Sequence, residues 1–85
     1  MWRTFMTEKD TTHLLAVARA YTNCVELEDQ ARLTGSEKTK DLTGLRENLQ
    51  ALLIEALREA RVSFQDEADA SRLAFEIVNY SRSSS

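Results

Sequence analysis

Eighty-five residues allow one domain at most, and a chain that short buries only about two thirds of its unfolded surface. Its 42% hydrophobic content is too high for a disordered chain, and its 14 acidic and 11 basic residues, mixed to a net −3, leave no basic face for nucleic acid or an anionic membrane. No apolar run reaches the ~20 residues of a bilayer span, and the single cysteine, Cys24, has no partner for an internal disulfide.

There is no proline, and glycine occurs only at Gly35 and Gly44. Leu, Ala, Glu and Arg are abundant and favour helix. Apolar residues never alternate over a strand's length, so the expected fold is all-α.

Trp2, Phe5 and Met6 open the chain. They either pack on the end of a bundle or form a free docking patch. Met1 to Asp10 lacks the apolar stretch of a signal peptide, so a reducing cytoplasm is the expected location.

The first helix is expected over about 8–33. Thr7 and Asp10 match the spacing of a capping box. Leu14, Val17, Ala18, Tyr21, Cys24, Val25, Leu27 and Ala31 fall on one broad face at about 100° per residue. Leu15 stands outside it. Gly35 is placed to end the helix in a left-handed conformation. The polar segment 36–40 is short enough to make the flanking helices antiparallel neighbours.

The second helix is expected over about 41–62, with Asp41 or Thr43 as its cap. Leu42, Leu45, Leu49, Leu52 and Ala56 recur at intervals of 3 and 4, which is a coiled-coil type of seam. Leu53, Leu57 and Ala60 widen it, and Ile54 stands outside. Neither Gly nor Pro occurs from Leu45 to Tyr80. One rod of about 55–60 Å is therefore an alternative to a break. Ser63 and Asp66 again have capping-box spacing, and three helices cover the apolar faces of so small a chain better. The third helix is then expected over about 64–80, followed by a disordered tail, 81–85. Its apolar residues form two groups, one with Phe64, Ala68, Phe75 and Val78, the other with Leu73, Ile77 and Tyr80. That is more than a peripheral helix needs to bury.

The expectation is a single domain, 1–80. It is a small antiparallel helical bundle, of three helices or a hairpin with one long second helix, completed by a second copy or another protein. Surplus apolar surface on a chain without catalytic motifs points to a non-enzymatic binding protein: an adaptor, co-chaperone or inhibitor of bacterial or phage type. The candidate contact residues are Trp2, Phe5, Leu15, Ile54, Leu73, Ile77 and Tyr80. A homodimeric structural bundle is the first alternative. A DNA-binding regulator is the second, although the start of helix 3, Gln65-Asp66-Glu67-Ala68-Asp69, would repel phosphate.

No metal or cofactor is expected. Asp10 and His13 supply one D-x-x-H pair, where a di-iron bundle needs two with further inward carboxylates. Cys24 lies about 16 Å along the helix from His13, too far for a dyad. The pairs Glu55/Glu59 and Asp66/Asp69 read as solvated acids rather than catalytic ones.

Overall fold

The computed structural model describes residues 8–83, with side chains from 12 to 81. It contains helices α1 (Glu8–Thr34), α2 (Thr39–Glu59) and α3 (Glu67–Ser83), and the described residues form no strand. The described residues form an all-α, three-helix bundle. The 27 residues of α1 extend about 40 Å at 1.5 Å per residue, nearly the full 43 Å length of the molecule.

Two Schellman turns set the topology. At the end of α1, Gly35 adopts φ 68°. Its N–H donates to the Arg32 carbonyl at 3.2 Å, and that of Ser36 to Ala31 at 2.8 Å, which is the paired pattern of this motif. Ser36 braces the connecting turn: its Oγ accepts the N–H of Lys38 and its carbonyl the hydroxyl of Thr39, and Lys38 stands at the N-cap of α2 without a side-chain cap. So α2 begins at Thr39, earlier than Asp41 or Thr43.

The end of α2 repeats the motif without a glycine. Arg61 takes the left-handed position at φ 61°. Its N–H donates to Arg58 at 3.0 Å, and that of Val62 to Leu57 at 2.9 Å. The long-rod alternative fails here. After segment 60–66, Asp66 caps α3 by accepting the N–H of Asp69 at 2.8 Å, while the Asp69 carboxylate accepts the N–H of Gln65 at 3.0 Å. The acids at this helix start are its caps. The new helix starts three residues beyond the expected position, and it continues through Ser83, past the start of the expected tail.

Leu14, Ala18 and Tyr21 of α1, Leu53, Ala56 and Leu57 of α2, Ala60 just beyond it, and Ala70, Ala74, Ile77 and Val78 of α3 form the core. The residues that widened the seam of α2 are thus its buried face. Leu45 and Leu52 within that seam are 49% and 51% exposed, and Leu27 of α1, expected inward, is 53% exposed. Leu15 and Ile54, expected outward, are half-buried against the core. Each helix packs on two neighbours, so the buried arcs are turned away from the position that a single contact stripe would give.

Candidate interaction surface

Three of the residues expected to meet a partner come together. Leu73, Ile77 and Tyr80, spaced by four and three, line a cleft of about 180 Å³ with Glu76 and Val62. Val62 is there because the left-handed turn at Arg61 folds the chain back over α3. Ile77 is only 6% exposed and Tyr80 is 45% exposed. The first forms the floor of the cleft, not the free contact anticipated for it, and the second stands at the rim. Small-molecule sites usually exceed about 300 Å³, so this volume suits one or two apolar side chains. Leu15 and Ile54 take no part in the cleft. Trp2 and Phe5 lie outside the described residues.

Polar groups beside the cleft are already paired. Arg72 joins Asp69 at 2.5 Å and Glu76 at 2.7 Å along one exposed flank of α3. The cleft presents its apolar floor beside a carboxylate whose charge is partly met.

A second polar cluster escaped the reading of the sequence. Glu28 is 3% exposed, on the face of α1 turned to α2. Thr43 donates its hydroxyl to one carboxylate oxygen, and Arg46 donates its Nε–H to the other at 2.9 Å. Arg32 lies 3.6 Å away. The Thr43 hydroxyl, then the charges of Arg46 and Arg32, hold the Glu28 carboxyl below its ordinary range against the upward push of burial. Its oxygens are occupied on both sides, so the group locks the α1–α2 register. A glutamate inside an apolar arc, with a matching cation eighteen residues on, was the available signal.

Cys24 is buried beside this cluster, with its thiol directed at the Leu42 carbonyl 3.5 Å away. Burial, then the charge of Glu28, pushes its pKa up, opposed by Arg46. A thiol in that setting is a poor nucleophile. His13 is exposed near the start of α1. Among the described residues no three His, Cys, Asp or Glu side chains gather as metal ligands would. No helix among them is long and apolar enough to cross a membrane.

No family model, curated protein or solved structure matches the chain. Function has to be read from the surface itself. That surface holds an apolar cleft on α3 and exposed leucines on α1 and α2.

Proposed function

We propose that this protein is a non-enzymatic binding module of the cytoplasm, an adaptor, co-chaperone or inhibitor, that docks its α3 cleft on another protein chain. The observation that carries this reading is the cleft between Val62 and α3, lined in part by the exposed Tyr80. An apolar side chain seated there would lose its water, worth about 1.5–3 kcal/mol for Leu, Ile or Phe. Tyrosine at the rim suits an anchor, because it covers a large area with few rotatable bonds. Recognition would be helix against helix, with the partner's anchor entering between Leu73 and Tyr80.

The test is binding by variants at the cleft, with circular dichroism to check that Leu73→Gln, which also touches the core, still folds. Tyr80→Ser and Leu73→Gln should weaken a purified partner by about tenfold each, the loss expected for one truncated anchor contact. Glu47→Gln, on an exposed part of α2, should leave the affinity unchanged. Equal binding by all three variants would refute the assignment. Light scattering on the isolated chain separates a foreign partner from a second copy.

A further inference from the structure

We infer that α2 carries a second docking surface, separate from the α3 cleft, whose occupant is a basic amphipathic helix of another protein. Asp41, Leu45, Asn48, Leu52, Glu55 and Glu59 are all exposed. Their spacings of four, three, four, three and four place them along one side of a helix, within an arc of about 80°. The two leucines occupy the middle, about 10.5 Å apart along the axis, and acids stand at both ends of a stripe about 27 Å long. None of the six lines the α3 cleft.

The charge on this stripe selects its occupant. It carries no cation: exposed Lys40 falls outside the arc, and the two arginines of α2 are engaged elsewhere. Arg46 is bonded to Glu28, and Arg58 lies over the Phe64 ring, 6.0 Å from its centre. Asp41 and Glu59 enter none of the ion pairs among the described residues, nor does Glu55. Glu55 and Glu59 also sit in the last turns of α2, where negative charge opposes the carbonyl end of the helix dipole. Folding alone gains nothing from acids at that end. A second copy of this chain would bring acid against acid. A helix of about 18 residues matches the stripe. It needs apolar side chains a heptad apart over Leu45 and Leu52, with Lys or Arg reaching the acids at either end.

The experiment uses the full chain and two synthetic amidated peptides of about 18 residues. Both have leucine at alternating intervals of three and four. One carries lysine at its other positions, and its counterpart carries glutamate. Titration by fluorescence anisotropy should show the lysine peptide binding at least about tenfold tighter than the glutamate peptide. The double variant Leu45→Ser/Leu52→Ser should weaken the lysine peptide by about tenfold or more. Glu55→Gln/Glu59→Gln should weaken it less and flatten its dependence on salt. Tyr80→Ser should leave it unchanged, which separates this surface from the α3 cleft.

Three results would overturn the proposal: equal binding of the two peptides, wild-type affinity in the leucine double variant, or a dimer of the free chain that the leucine substitutions dissolve. The last would make a second copy the occupant. Should the leucine pair prove necessary for folding, the glutamate variant decides. Unchanged affinity and unchanged salt dependence there would refute the assignment.

Discussion

Replacing Glu28 by Gln is the sharpest test of how the hairpin is held. Glu28 is 3% exposed and receives Thr43 on one oxygen and Arg46 on the other. Removing one partner of a fully buried ion pair costs about 3–5 kcal/mol, because the other charge is stranded. Here the Arg46 side chain is 25% exposed and can recover some hydration, and glutamine can still accept from Thr43. The expected loss is therefore smaller, about 1–3 kcal/mol. A domain of this length has a total stability of about 4–13 kcal/mol, so the change is large. It corresponds to a fall in Tm of roughly 4 °C or more per kcal/mol.

The effect must also depend on pH. The folded-state pKa of Glu28 lies below its ordinary value of 4.5. Its contribution is thus complete at pH well above 4.5 and is lost as pH falls through 4.5 and then through the lower folded value. Urea unfolding of both chains at neutral pH and at successively more acidic pH measures this. The difference between wild type and Glu28→Gln should shrink as the solution is acidified. A difference that stayed constant with pH, or a variant as stable as wild type at neutral pH, would refute the buried-carboxylate account.

Arg61→Gly should raise stability by about 0.5–1 kcal/mol, since Arg61 holds φ 61° and glycine adopts that conformation without a Cβ clash; a rise in Tm checks it. Asp66→Ala should cost about 1 kcal/mol by removing the cap on the N–H of Asp69, and hydrogen exchange should show the first turn of α3 opening more often. Tyr21→Phe should cost about 0.5–1.5 kcal/mol, because the buried Tyr21 hydroxyl shares a hydrogen bond with Ser71 across α1 and α3; denaturant unfolding measures it.

The helices were legible because no Pro interrupts them and their apolar residues recur at helical spacing. The end of α1 was legible because glycine stood where a left-handed residue was required. The end of α2 was marked only indirectly, because Arg61 occupies the same conformation and no composition signal distinguishes it. The caps at Asp66 and Asp69 lay within the right acidic cluster, although the helix itself begins at Glu67, three residues past the expected start. Leu27, Leu45 and Leu52 were misplaced for a different reason. A wheel assigns each helix one buried stripe, whereas α1 and α2 each meet two neighbours and turn their arcs accordingly. Glu28 was passed over because periodicity marks where apolar residues fall; its place inside the apolar arc was the one signal that it is buried. The cleft was half legible. Leu73, Ile77 and Tyr80 share a helical face by spacing alone, but the wall at Val62 exists only once the chain turns at Arg61.

The most direct test of the docking account is site-specific photocrosslinking in the cells that make this protein. A photoreactive phenylalanine replaces Tyr80 in one strain and Glu47 in another. The account predicts one discrete adduct with a protein chain from position 80, suppressed by the further change Leu73→Gln, and none from position 47. Identical adducts from both positions, or no adduct from position 80, would contradict it.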